Sequence, residues 1–405
     1  MIRITTFAAQ LTTSALRTTV AILLALAGGA LGCVAQSIDS VADSVVARSM
    51  ALRTLAAEHD ATLLERRADN ALGGPSIEYS PFFENGKTGL GASELIVQQT
   101  FDFPTQYRQR REQLRLDGAA LAEQYRAAVA DVREEARLLC VDIIRTNQLV
   151  DMLGRRLTEC DTILSLLQRR IEAGDATSLE VNKARLTRMA VQQQLAETCT
   201  ERAGLLTRLQ TLGGGTPIEL DDRTFPACPL ESDIDGFIAA SLESNADLGA
   251  ARATLGAQDH ALAMSRRAWL PQLNVGYRRN TDGPARLNGF VVGAAFPLYS
   301  TSGRVKAARA RQLALGLELD ATRREAEDRL RSRWNELKRL QSVLDHSDTQ
   351  LLDETLTLLR RAMQYGEITA LDYYRETADI YDKLQAHIDM HCRYVRLYVE
   401  AHRDR

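Results

Sequence analysis

Apolar positions along most of this chain recur with the period of packed helices. From Val132, apolar or small residues fall at Ala136, Leu139, Ile143, Thr146, Val150, Leu153, Leu157, Cys160, Leu164, Leu167 and Ile171. The spacings alternate four and three, a heptad seam that keeps one face against a neighbouring helix over a long distance. Leu330, Leu337, Leu344, Leu351 and Leu358 recur every seventh residue. The last segment carries Leu371, Tyr374, Ala378, Tyr381, Gln385, Ile388, Cys392, Val395 and Val399 in the same way.

Two regions alternate instead with period two, the signature of half-buried strands. In the first, Ile77 and Tyr79 alternate with Ser76, Glu78 and Ser80, and Leu95, Val97, Phe101 and Phe103 oppose Glu94, Gln98 and Thr100. In the second, Leu273, Val275 and Tyr277 alternate with Gln272, Asn274 and Arg278, and Phe290, Val292, Ala294, Phe296 and Leu298 share one face. Strands are expected at about 74–83, 91–103, 272–279 and 287–298, paired as hairpins across Glu84-Asn85-Gly86 and across Asn280 to Gly283. Each is long enough to cross a bilayer when tilted. Six of the nine Phe residues lie in these strands and Trp269 precedes the third, as suits a membrane interface.

The pattern repeats. The stretch Leu166 to Glu180 aligns with Leu358 to Asp372 at an offset of 192 residues, with Gly, Thr, Leu and an acidic residue in register. Val97 to Phe103 aligns with Val292 to Leu298 at an offset of 195. Residues 36–215 and 233–405 are therefore expected to be two copies of one unit. The linker at 216–232 contains Pro217, Pro226 and Pro229 and has no helical period.

Lengths fit one wall. Helices over Pro104–Ala173 and Ser302–Tyr365 would run about 100 and about 95 Å. Ser178–Leu212 and Ser232–Trp269 would run about 53 and about 57 Å, so end to end they match one long helix. The helices near Ile38–Asn70 and at the C-terminus sum likewise to about 100 Å.

Composition agrees with long helices: charged residues make up 25% and aromatics 5%. Formal net charge is −3, with basic and acidic residues interspersed, and nothing calls for nucleic acid. Residues 1–35 read as a signal peptide, with Arg3 and Arg17 before the apolar run Val20–Gly32 and small residues preceding a cleavage position after Ala35. A rival reading makes Cys33 a lipid anchor, although Ala30 stands where a lipobox prefers Leu. Removing Arg3 and Arg17 leaves 48 basic against 53 acidic residues. Cys140, Cys160, Cys199, Cys228 and Cys392 then form an odd set with no zinc spacing, and Cys160 and Cys392 fall on helix seams as small apolar residues.

The order helix, strand hairpin, long helix, Gly tip and returning helix, twice over, resembles the TolC-like outer-membrane factor family. So do Ile171-x-x-Gly174-x-x-x-x-Leu179-Glu180-Val181-x-x-Ala184, Met363-x-x-Gly366-x-x-x-x-Leu371-Asp372-Tyr373 and the run Ala268-Trp269-Leu270-Pro271-Gln272-Leu273-Asn274-Val275. The resemblance spans essentially the whole mature chain. It implies a mainly α fold with a small β part, assembled as a trimeric α-barrel tube under a twelve-stranded transmembrane β-barrel, four strands per chain. Physics agrees, since four strands cannot close a barrel and lipid tolerates no open edge.

The resemblance further implies an outer-membrane channel subunit of a tripartite efflux or type I secretion system, a passive duct and not an enzyme, with no cofactor. Its partners would be a periplasmic membrane-fusion adaptor and, through it, an inner-membrane pump of RND or ABC type. Gly174, Leu179, Gly366 and Leu371 would sit at the adaptor-docking tips; the glycines also suit a simple helix reversal. Asp372 matches the first acid of the family's entrance ring, and Arg375 stands where a second acid would fall. Glu180 and Asp372 equally suit the first turn of a helix.

His387 and His391, one helical turn apart, are the densest ligand-like pair, but a solvated helix face accounts for them without a metal. No nucleophile elbow, phosphate loop or dinucleotide fingerprint is present. The alternative to a duct is a periplasmic coiled-coil adaptor or scaffold without a pore, which would have no use for two aromatic-rich strand hairpins.

Overall fold

The structure is a computed structural model that describes residues 38–83, 86, 88, 90–282, 285–296 and 301–404. The expected signal peptide, Cys33, the loop positions Glu84, Asn85 and Gly283 and the strand end at Leu298 lie outside these residues.

The described residues begin with α1 (Ile38–Arg48) and α2 (Met50–Asp69), followed by β1 (Ser76–Phe83) and β2 (Leu90–Phe101). α3 (Pro104–Glu172) and α4 (Ser178–Leu212) form the first helical hairpin. α5 (Ile234–Ser244) and α6 (Ala246–Arg266) then lead to β3 (Gln272–Asp282) and β4 (Ala285–Ala295). The second hairpin is α7 (Thr301–Asp345) and α8 (Thr349–Tyr365) returning as α9 (Ala370–Ala401). Among the described residues no helix is long and apolar enough to cross a membrane.

α3 runs unbroken for 69 residues because its seam never lapses. Pro104 starts it, where a missing N–H costs nothing. One stripe buries Ala136, Leu139, Ile143, Leu153, Cys160, Ile163 and Leu167 against successive neighbours.

Three helices expected to be continuous are broken. The helix expected over Ile38–Asn70 is interrupted at Ser49, which is buried with an extended backbone (ψ 123°). The turn at Gly213–Gly215 packs there: a Cβ on Gly214 would lie 2.6 Å from the Arg48 carbonyl oxygen. The helix expected over Ser232–Trp269 is interrupted at Asn245, whose side chain accepts from the Leu248 N–H at 2.9 Å. The third break separates α7 from α8. There Asp348 accepts from the Leu351 N–H at 2.9 Å, and the amides of His346 and Ser347 reach back only three residues, to Val343 and Leu344. At Asn245 and Asp348 a short polar side chain takes over a helix-start amide, which the uninterrupted apolar period concealed, whereas Ser49 makes no such bond.

The third break also splits the leucine ladder. Leu330 and Leu337 are buried, but Leu351 and Leu358 are 57% and 63% exposed, and α8 buries Leu356 and Met363 instead. Leu371, expected on the α9 seam, is likewise exposed, and Ala370 and Tyr374 pack there.

The largest core gathers where the breaks occur. Val41 and Val45 of α1 meet Cys140 and Ile144 of α3, Leu220 and Phe225 of the linker, Phe237 of α5, Trp334 of α7 and Val395 of α9. Cys140, Cys160 and Cys392 are buried and all five described cysteines are free thiols. Burial pushes the Cys140 thiol up to about 12, so it packs as a small apolar side chain.

Candidate functional site: the two hairpin tips and the two-faced sheet

Each helical hairpin turns by the same local chemistry. At the first tip, the Gly174 amide donates to the Ile171 carbonyl at 3.1 Å and the Asp175 amide to that of Arg170 at 2.8 Å. At the second, the Gly366 amide donates to Met363 at 3.3 Å and the Glu367 amide to Ala362 at 2.9 Å. Both are the paired bonds of a glycine-terminated helix, with φ of +83° at Gly174 and +80° at Gly366. A Cβ on Gly174 meets nothing within 4 Å, whereas one on Gly366 would lie 3.4 Å from the Arg170 guanidinium. That Arg170 Nη2 donates to the Gln364 carbonyl at 3.3 Å and ties the two tips together.

The returning helices start alike. Thr177 Oγ1 accepts from the Glu180 amide at 3.3 Å, and Glu180 Oε2 accepts from the Thr177 amide at 2.8 Å, closing a capping box. Thr369 Oγ1 accepts from the Asp372 amide at 3.2 Å and donates to Asp372 Oδ2 at 2.7 Å. Both acids thus serve helix starts, and the Asp372 side chain remains half exposed. Arg375 lies 4.0 Å from Asp372 but 2.9 Å from Glu376, so its nearer partner is an acid absent from the sequence expectations.

Around these turns the tips are apolar and open: Leu179, Leu371 and Tyr365 are 76%, 57% and 80% exposed. Beneath them Tyr373 and Tyr374 are buried with Cys160, Val181, Ala184 and Met363. Farther up the hairpins, Glu159 of α3 accepts from the Tyr381 hydroxyl at 2.7 Å and pairs with Arg360 of α8. Arg156 lies 4.7 Å over the Tyr381 ring. This three-helix knot has no sequence signal, because Glu159 and Arg360 are 201 residues apart.

His387 and His391 do not form a ligand set. Their ring centroids are 6.2 Å apart, Ser347 Oγ hydrogen-bonds His387 Nδ1 at 2.9 Å, and His391 packs 4.7 Å from Phe225. Burial lowers both pKa values, His391 also through the His387 charge, so the pair is neutral near pH 7. Among the described residues no group of three or more His, Cys, Asp and Glu could hold a metal.

At the other end of α3, the four strands form one antiparallel sheet in the order β1-β2-β3-β4. Register sorts its side chains into two faces. One face stacks Ile77, Val97, Tyr277 and Phe290 in one row, then Gln99, Val275 and Val292, then Phe101, Leu273 and Ala294. The other carries Glu78, Ile96 and Arg278 in one row, Ser80, Glu94, Asn280 and Leu287 in the next, and Thr100 with Asn274, so it is the more polar of the two. Arg278 pairs with Glu94 on this polar face. Phe290 and Val292 are 88% and 80% exposed, so the apolar face is bare. β1 and β4 each have one unpaired edge.

The helical hairpins thus carry a two-faced sheet whose apolar face is bare and whose edges are open. Residues 237–396 match the family model described as Outer membrane efflux protein. No curated protein matches the chain by sequence. Among solved structures the fold is similar to CusC, with TM-score 0.75 and 15% identity over 92% of each chain. It is similar to the Campylobacter jejuni CmeC outer membrane channel, with TM-score 0.74 and 14% identity over 91% of this chain and 85% of that one. It is also similar to VceC of Vibrio cholerae, an outer membrane protein, with TM-score 0.66 and 16% identity over 91% and 95%. Residues 237–396 thus match the outer membrane efflux protein family, and the described fold is similar to that of these channels.

Proposed function

We infer that the chain is the outer-membrane channel subunit of a tripartite efflux or type I secretion system, a passive duct whose long helices extend into the periplasm. The observation that carries this reading is the sheet: apolar on one face, polar on the other and unpaired at both edges. An open edge in lipid leaves backbone groups unsatisfied at several kcal/mol each, so the strands need partners. Three copies would close twelve strands, a size that leaves a water-filled lumen lined by the polar face. The exposed Leu351 and Leu358 would then be covered by neighbouring copies.

In this reading residues 1–35 are an export signal, 36–215 and 233–405 the two copies, and 216–232 the linker. The exposed Leu179, Leu371 and Tyr365 around Gly174 and Gly366 offer an apolar surface for a membrane-fusion adaptor, which would bridge to an RND- or ABC-type inner-membrane pump. The full chain purified from outer membranes should run as a trimer in mild detergent and collapse to monomer on heating. A monodisperse monomer that keeps its full strand content removes the basis of the reading.

Asp372 would face the narrow periplasmic opening, where three carboxylates repel by about 1 kcal/mol or more per pair once partly desolvated. Arg375, shared between Glu376 and Asp372, offsets part of that charge. Single-channel recordings should show Asp372→Ala reducing cation selectivity and divalent-cation block, and Arg375→Asp strengthening both. If neither changes, Asp372 acts only as a helix-start acid.

A further inference from the structure

We propose that Arg279 and Arg286 form a binding site on the outer rim of the channel for phosphorylated glycolipid headgroups of the outer leaflet. The inference rests on the reading of the sheet as part of a transmembrane barrel.

The register puts both arginines on the apolar face. Tyr79, Leu95, Arg279 and Asn288 occupy one row, directly above the row of Ile77, Val97, Tyr277 and Phe290. The next row toward the hairpin ends carries Pro81, Ser93, Thr281 and Arg286. Arg279 and Arg286 are therefore diagonal neighbours on adjacent strands, about 7–8 Å apart. That span suits one phosphate, or two on one headgroup, accepting from both guanidiniums.

Their depth is set by strand length. From Phe296 to Asn288 is about 27 Å along an extended strand, or about 21 Å of height at a barrel's tilt of about 40°, most of the roughly 25 Å apolar band. The arginines thus stand at the top of the band, on the side of the hairpin loops and opposite the helices. At the bilayer midplane each would cost about 2–4 kcal/mol, and at the interface about 0–1, so the register places them where they can persist. Tyr79 and Tyr277 flank them, and the Tyr277 hydroxyl is held by Asn288 at 2.7 Å.

Charge supplies the second argument. Arg278, one residue away on the polar face, has Glu94 as a partner. Arg279 and Arg286 have no carboxylate partner among the described residues. Two like charges on one face, beside an apolar belt and without a counter-ion among the described residues, are complementary to an anionic lipid. The rim of a hydrocarbon layer brings phosphate and acyl chain together in the same geometry.

The test uses the full-length detergent-solubilised protein titrated with a bisphosphorylated lipid A, with the same glycolipid stripped of its phosphates, and with inorganic phosphate. Bound lipid is read by native mass spectrometry. The wild type should prefer the phosphorylated form by tenfold or more, and inorganic phosphate at millimolar concentration should not displace it. R279Q/R286Q should lose about tenfold in affinity, and R279K/R286K should retain most of it. Equal binding of the phosphate-free glycolipid, unchanged affinity in R279Q/R286Q, or full displacement by inorganic phosphate each overturns the proposal. If R279Q/R286Q fails to insert, loss of the phosphate preference in R279K/R286K to the level of the phosphate-free lipid overturns it equally. Failure of the barrel reading is distinct: the wild type would then lack a heat-labile oligomer before any lipid is added.

Discussion

Gly366→Trp should reduce transport at least tenfold, in cells lacking their own channel, while leaving the amount of heat-labile trimer in the outer membrane unchanged. Gly366 holds a φ of +80°, which costs any residue with a Cβ about 1–2 kcal/mol. Its Cβ would also lie 3.4 Å from the Arg170 guanidinium, which reaches across to the Gln364 carbonyl. A bulky ring there separates the two tips and displaces Tyr365 and Leu371, exposed apolar groups that would meet the adaptor in the proposed function. The strands lie at the opposite end of α3, about 100 Å away, so barrel closure is untouched. Gly174→Ala meets no neighbour and adds only the backbone strain, so its effect should be much smaller. Unchanged transport and unchanged adaptor crosslinking in Gly366→Trp would exclude docking at this tip.

Arg403→Met should lower stability by about 3–5 kcal/mol near pH 7 and by distinctly less at pH 5. The Arg403 side chain, 15% exposed, pairs with Asp131 and Asp247 at 2.7 Å each and with Glu134 at 3.4 Å. Asp404 stands beside them, bonded to Asn245 at the break between α5 and α6. Burial holds the carboxyls of Asp131, Glu134 and Asp404 above their usual range even with the guanidinium present. A raised carboxylate pKa means that folding favours the protonated form. The contribution of these groups is therefore most favourable below the ordinary carboxylate range and declines as pH rises through the folded values. Without Arg403 the folded values climb further, so the deficit should be largest at pH 7–8 and shrink toward pH 5. Unfolding midpoints in detergent at pH 5 and pH 8 test this. An equal deficit at both would mean that lost packing, not stranded charge, is the cause. Adding Glu134→Gln to the variant should recover part of the loss at pH 8.

The features most legible in the sequence are those written in local periods. The Val132–Ile171 seam, the period-two rows around Val97 and Tyr277, and the glycine reversals at 174 and 366 each depend on residues within one turn or one strand. Helix continuity was less legible, because the seven-residue step from Leu344 to Leu351 spans the Ser347–Asp348 break without a mark. The polar cap that causes the break is a two-residue signal set against a five-leucine ladder. At the tips, the threonine-acid starts are visible as acids in a first turn, but nothing in that motif marks Glu376 as the nearer partner of Arg375. The Glu159–Arg360–Tyr381 knot and the Arg403 cluster join residues from distant segments, and no local pattern encodes such pairs.

The unequal segmentation of the two hairpins has a mechanical consequence. α3 is an unbroken spar of 69 residues, and bending it anywhere means stretching i→i−4 bonds along its length. The second hairpin has a joint at His346–Asp348, where those bonds are already missing and the amides of His346 and Ser347 make only shorter turns. Under a sideways load on the tips, compliance therefore concentrates at that joint, and Ser347 holding His387 at 2.9 Å is the bolt across it. The first hairpin bears the load as a strut and the second yields as a jointed limb.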